Sequence, residues 1–175
     1  MLNKKGLTGM WDMTRQKHGI TLRLIELLPE NALHSHPIPG MRTPAELIVH
    51  MYDIGVRGIP EGIAAGRVTV DESTENSIAG GLKTRADVLK FVAECWNAGD
   101  RAVAAITDEQ LAAMVPTPWG MALPGFALCG VVNDEYLHHR GQLYTFVRAA
   151  GVEPPMMWDF GNNAEAFRPK QAVAG

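Results

Sequence analysis

Residues 131–144, VVNDEYLHHRGQLY, decide the fold because they form the middle of a long amphipathic helix. We predict that this helix covers residues 125–150, since apolar side chains recur along it at the three- and four-residue spacing of a single helix face. These apolar positions are Leu128, Val131, Val132, Leu143, Phe146 and Val147. Glu135, His139 and Gln142 fall on the same inward stripe, so the helix buries polar groups among its core residues.

The pair Glu135 and His139 needs a partner inside the bundle. Removing water from a carboxylate and an imidazole is costly unless they are paired or coordinate something. Because the two residues are four apart, their side chains leave the same helix face about one turn apart. That spacing suits two ligands of one metal ion in a helical bundle.

The string His138-His139-Arg140-Gly141-Gln142-Leu143-Tyr144, followed by a Gly-Val and Pro-Pro exit, resembles the DinB/YfiT-like superfamily of metal-binding four-helix bundles. The resemblance implies an all-α fold, a four-helix bundle with long crossover connections. It also implies a three-ligand metal site. His139 matches the last ligand, Glu135 sits where many members have histidine, and His50 matches the ligand on the second helix. The mycothiol-dependent maleylpyruvate isomerase branch is similar in using a carboxylate at the Glu135 position.

The remaining helices follow from caps and apolar periodicity. A first helix is predicted over residues 9–28, and Thr43-Pro44-Ala45-Glu46 announces a second helix with Thr43 as N-cap. Glycines and a proline within residues 55–62 predict a bend or break in that helix before Arg67. A third helix is expected from Thr84, with a short extra turn at 108–111. Residues 29–43, 67–83 and 115–120 are predicted as connections.

Length and composition bound the remaining possibilities. With 175 residues, we expect one domain over 1–175, with 161–175 as a loosely ordered tail. A net charge of −3 and scattered basic residues argue against nucleic-acid binding. We see no apolar run of bilayer-spanning length and no signal peptide, so we expect a cytoplasmic protein that does not bind membranes. Cys95 and Cys129 are predicted to be reduced packing residues.

Three further residues are candidates for the pocket around the ion. Gln142 lies near one turn beyond His139 and could orient a ligand. His138 could contact His139 or substrate, although a surface position is the default. Trp119, in a Pro-Trp-Gly string, either lines the mouth of the pocket or covers the end of the bundle. Arg140 is expected to pair with an acidic residue of a neighbouring helix.

The function expected from these residues is that of a divalent-metal-dependent enzyme. Two imidazoles and one carboxylate suit zinc or nickel, and also iron, and three protein ligands leave a position open. The resemblance implies a thiol S-transferase or thiol-dependent isomerase, in which a metal-bound thiolate attacks a small-molecule substrate. Two alternatives stay open: a metal-dependent hydrolase, and a stress-induced metal-binding protein without catalysis. A homodimer is expected, with the apolar segment 156–160 as one possible contact.

Overall fold

The computed structural model describes residues 2–170, and apart from one short hairpin its regular structure is helical. The helices are α1 (Lys4–Leu27), α2 (Pro44–Val49), a π-helical segment (His50–Gly58), α3 (Ile59–Ala65), α4 (Glu75–Gly81), α5 (Arg85–Ala105), α6 (Asp108–Ala112) and α7 (Gly125–Ala149). The antiparallel strands β1 (Met114–Pro116) and β2 (Ala122–Pro124) form the hairpin, and short 3-10 turns lie at Glu30–Ala32, Glu72–Thr74, Phe160–Asn162 and Glu165–Phe167.

Four long helical stretches form the bundle within the described residues. α2, the π-helical segment and α3 follow one another without leaving right-handed backbone, so residues 44–65 act as one stretch. This stretch packs between α5 and α7, and α1 packs on the same two helices from the opposite side. α1 and residues 44–65 are therefore diagonal neighbours. The all-α four-helix bundle predicted from the sequence is confirmed.

Local sequence signals explain where the helices begin and how closely they pack. Thr43 and Thr84 each accept a hydrogen bond from a backbone N–H of the first turn, in a capping box whose partner is Glu46 or Asp87. Gly99 of α5 lies directly against the main chain of the π-helical segment, where any Cβ would collide with a carbonyl oxygen. Glycine at this position therefore allows α5 and the π-helical segment to pack closely against each other.

Two connections contain structure that the sequence did not predict. Residues 67–83, expected to be a plain connection, contain α4, which packs on α2. Residues 115–120, expected to be a loop, belong to the hairpin, and Gly120 adopts a φ of 79° in its turn. The predicted interruption within 55–62 takes the form of the π-helical segment, since the helix continues to Ala65.

Two described side chains within 161–175, the segment predicted to be a loosely ordered tail, pack against the bundle: Asn163 and Phe167. Asn163 is buried, and its side-chain amide donates to the carbonyl oxygens of Gln16 and Phe167. The Phe167 ring meets the His18 ring edge-on. Met156, Met157 and Trp158 stay exposed, and residues 171–175 lie outside the described range. None of the helices within residues 2–170 is both long enough and apolar enough to cross a bilayer.

Candidate metal centre

His50, Glu135 and His139 meet where the π-helical segment faces α7. One ligand atom from each residue lies within 4.8 Å of the other two. The Glu135 carboxylate is 2.9 Å from His139 Nε2 and 3.7 Å from His50 Nε2. The two helices thus aim two imidazoles and a carboxylate at one point, and this group could hold a metal ion.

A buried carboxylate from the crossover connection orients His50. The imidazole Nδ1 lies 2.7 Å from Oε1 of Glu75, the first residue of α4. Glu75 is buried, and Arg42 lies 3.7 Å from its second oxygen. The Glu75 carboxylate accepts a hydrogen bond from Nδ1–H of His50. It therefore favours the tautomer of His50 whose Nε2 lone pair faces Glu135. Glu75 could not be predicted from local patterns, because it lies 25 positions from His50 in a segment predicted to be a connection.

An amide orients His139 in the same way. Its Nδ1 lies 2.9 Å from Gln142 Oε1, and the Gln142 Nε2 donates to His138 Nε2 at 3.1 Å. Burial is the largest cause of a lowered pKa for His139, so the ring favours the neutral form. His138 itself is exposed, in agreement with the default reading of the sequence.

The donor set fits a divalent cation. The His139 tautomer that donates Nδ1–H to Gln142 leaves its Nε2 lone pair facing the Glu135 carboxylate oxygen, 2.9 Å away. A cation within reach of these two atoms and of His50 Nε2 would be coordinated by all three side chains. Two nitrogens and one carboxylate oxygen suit zinc, nickel or ferrous iron. The Glu135 side chain remains 44% exposed, so the centre is open on one side.

A pocket of about 220 Å³ opens beside the centre. The hairpin turn places Trp119 on its rim, where the indole Nε1 donates to Glu72 at 2.9 Å. Of the two readings of Trp119, the structure agrees with the one that places it at the pocket. The lining residues are His50, Met51, Ile54, Gly55, Ile59, Glu72, Trp119, Val131 and Glu135.

Arg140 differs from its prediction. It is buried, but its guanidinium donates to the Met157 carbonyl oxygen and the Tyr144 hydroxyl, and no carboxylate within residues 2–170 pairs with it. Its structural role is therefore to hold residues 156–158 against α7. The two cysteines are free and buried, as predicted, and burial raises the pKa of Cys95 to about 12 and that of Cys129 to about 11.

A larger cleft lies elsewhere on the described part of the chain. It measures about 950 Å³ and lies between α1, α5 and residues 165–170. Two of its acidic groups already have partners: Asp12 binds Arg15, and Asp100 accepts from the Trp11 indole. No histidine or cysteine lines it within the described residues. Because imidazole and carboxylate groups converge instead at His50, Glu135 and His139, the smaller pocket beside His50 is the better candidate site.

The fold and the site together define a helical-bundle protein with a candidate metal centre. The sequence model of the DinB superfamily matches residues 13–143, and the chain therefore belongs to that superfamily. Among solved structures, the chain is similar to the DinB-like protein YjoA from Bacillus subtilis, with 18% sequence identity and a TM-score of 0.66. That match covers 85% of this chain and 96% of the other, and it shows the shared fold. No curated protein matches the chain.

Proposed function

We propose that the protein is a divalent-metal-dependent enzyme that transfers or rearranges groups on a small molecule with the help of a thiol. The observation that carries the proposal is the convergence of His50, Glu135 and His139 within 4.8 Å, beside a pocket large enough for a small ligand. A structural metal site is closed by its protein ligands, whereas three ligands leave a position open for a water molecule or a substrate. Zinc and nickel are the favoured ions, with iron as a third choice.

The residues of the chain would divide the work. His50, Glu135 and His139 would hold the ion, while Glu75 and Gln142 fix the two imidazole rings. An ion in this place supplies Lewis acidity, which lowers the pKa of a thiol or water molecule at the open position. The apolar wall of the pocket would exclude water around the second substrate, and Trp119 would cover it from the hairpin side.

Thiol turnover tests this proposal. The zinc-loaded and nickel-loaded proteins are incubated with a panel of low-molecular-weight thiols and an activated electrophile, and thiol consumption is followed. We expect at least one thiol to react faster with the wild type than with His139→Ala. Asp134→Asn, which changes an exposed carboxylate next to Glu135, should keep the wild-type rate. Rates equal to those of His139→Ala for every thiol would contradict the proposal.

Metal-assisted hydrolysis is a second candidate because the pocket holds a carboxylate outside the ligand group. Glu72 lines the pocket and, in the described structure, is bound only to the Trp119 indole. It could accept a proton from water, a role that Glu135 cannot fill while it acts as a ligand. A screen of neutral esters and amides with wild type and Glu72→Gln separates the two functions, because thiol transfer does not require this base.

A further inference from the structure

The pocket beside the metal centre has a chemical character that restricts its ligand. Met51, Ile54, Ile59 and Val131 form its wall, and the pocket's polar side consists of carboxylates and the metal-facing imidazole. No lysine or arginine stands among the described residues that line it. The indole N–H of Trp119 already donates to Glu72. An anionic group in this pocket would therefore meet apolar atoms and two carboxylates, with no side chain to neutralise it.

Gly55 gives the pocket its depth. In the π-helical segment the backbone hydrogen bonds reach five residues, as from Ile59 N–H to Ile54 O, so residues 50, 54–55 and 59 align on the pocket face. A Cβ placed on Gly55 would meet no atom within 4 Å, although the residue is buried. The open volume next to Gly55 is thus part of the pocket itself, and a side chain at this position would fill it.

From these observations we infer that the pocket binds the uncharged, apolar end of a small substrate, a monocyclic ring or short branched alkyl group, and excludes anionic ones. An apolar cavity of about 150 Å³ is sufficient to bind benzene in other proteins. The pocket, at about 220 Å³, therefore has room for one ring with a short substituent. The inference rests on the proposed function for the identity of the reacting group, but the pocket itself is defined without the metal.

A matched pair of thiols tests the inference. Benzyl mercaptan and 4-(mercaptomethyl)benzoate share a ring and a thiol and differ by one carboxylate. Each is titrated into ¹⁵N-labelled protein, both metal-free and loaded with cobalt(II), with the Trp119 indole signal and the Gly55 amide as reporters. The signals of Trp11, Trp96 and Trp158 serve as internal controls in the same spectra.

We expect benzyl mercaptan to shift the Trp119 and Gly55 signals in both forms of the protein. The carboxylate analogue should need at least about a tenfold higher concentration, because its charge would approach the carboxylates of Glu72 and Glu135 beside an apolar wall. Gly55→Leu should lower the affinity for benzyl mercaptan by at least about tenfold while the affinity for cobalt stays unchanged. Gly55→Ala should lower the affinity for benzyl mercaptan by a smaller factor. Gly9→Leu, at an exposed helical glycine with equally open surroundings, is the matched control and should bind like the wild type.

Equal affinity for the two thiols, or full binding by a folded Gly55→Leu protein, would overturn the inference. A failure of cobalt to bind would instead count against the proposed function. The metal-free titration would still decide the question of the pocket, so the two failures are distinguishable.

Discussion

Two histidine clusters share residues of the stretch 44–65 and of α7, with α1 adding His18 and Thr21 to one of them, and they differ in almost every physical respect. The core cluster consists of His18, Thr21, Tyr52 and Tyr136, all at most 1% exposed. The metal centre consists of His50, Glu135 and His139. Tyr52 lies two residues from His50, and Tyr136 is next to Glu135, so the same backbone positions both clusters.

The core cluster is a closed set of neutral groups. His18 Nδ1 lies 2.7 Å from the Tyr52 hydroxyl, the two tyrosine hydroxyls are 3.5 Å apart, and Thr21 lies 2.9 Å from Tyr136. The His18 ring stacks on Trp96 with centroids 4.1 Å apart. Burial lowers the pKa of His18 to about 3 and raises the pKa of both tyrosines, so every member stays uncharged near neutral pH.

The metal centre differs because it contains carboxylates and an open side. Glu75 and Glu135 bring negative charge to the two imidazoles, and Glu135 is half-exposed beside the pocket. A histidine surrounded by hydroxyls and aromatic rings serves packing. A histidine held by a carboxylate at one nitrogen, with the other nitrogen facing a second carboxylate, is arranged for a cation. The comparison therefore predicts that changes in one cluster affect stability and changes in the other affect metal binding.

The largest effect is expected in the core. His18→Ala leaves the Tyr52 hydroxyl without this partner and opens a cavity beside Trp96, so unfolding free energy should fall by about 3 kcal/mol or more. Urea unfolding of the metal-free protein measures this loss. Zinc affinity of the folded variant should stay within about twofold of the wild type. A tenfold loss of zinc affinity would show that the two clusters are coupled, and it would contradict the prediction that the core cluster affects stability alone.

Acid should reveal the buried neutral His18. The folded-state pKa of about 3 lies below the value of 6.5 for a free histidine, so the unfolded chain binds a proton first as the pH falls. Stability from this residue is complete above pH 6.5 and declines between 6.5 and 3, at up to about 1.4 kcal/mol per pH unit. At pH 5 the loss relative to His18→Phe, which cannot titrate, should reach about 2 kcal/mol. Urea midpoints that stay parallel for the two proteins from pH 5 to 7 would contradict a buried, neutral His18.

The smallest effect is expected at the residue that orients His50. Glu75→Gln keeps the shape of the Nδ1 partner but removes its charge, so zinc affinity should fall by about tenfold, the lower end for residues that support metal ligands. Competition with a chelating dye measures the affinity. Glu72→Gln, three residues earlier and bonded to Trp119 in place of a ligand, is the control and should bind zinc normally. If both variants bind zinc like the wild type, Glu75 does not position His50.

Local patterns predicted much of this molecule, and contacts between distant residues account for what they missed. The α7 stripe and the i, i+4 pair Glu135–His139 follow from helical geometry alone. His50 entered only through the family resemblance, because its partners lie far away in the sequence. α4 was missed because ENSIAGG is short and ends in two glycines, so its stability comes from packing on α2 and from the pairing of Glu75. The π-helical segment was not predicted because its hydrogen bonds span five residues, whereas the apolar pattern was compared only with the period of an α-helix.

X-ray absorption spectroscopy of the zinc-loaded protein tests most directly whether His50, Glu135 and His139 coordinate one metal ion. We expect one equivalent of zinc, with two imidazole nitrogens at about 2.0–2.1 Å and a carboxylate oxygen at about 2.0–2.2 Å. This signal should disappear in His139→Ala and persist in Asp134→Asn, which changes an exposed carboxylate. Three results would contradict this site: zinc that does not bind at one equivalent, zinc bonded to sulfur of Cys95 or Cys129 at about 2.3 Å, or an unchanged spectrum in His139→Ala.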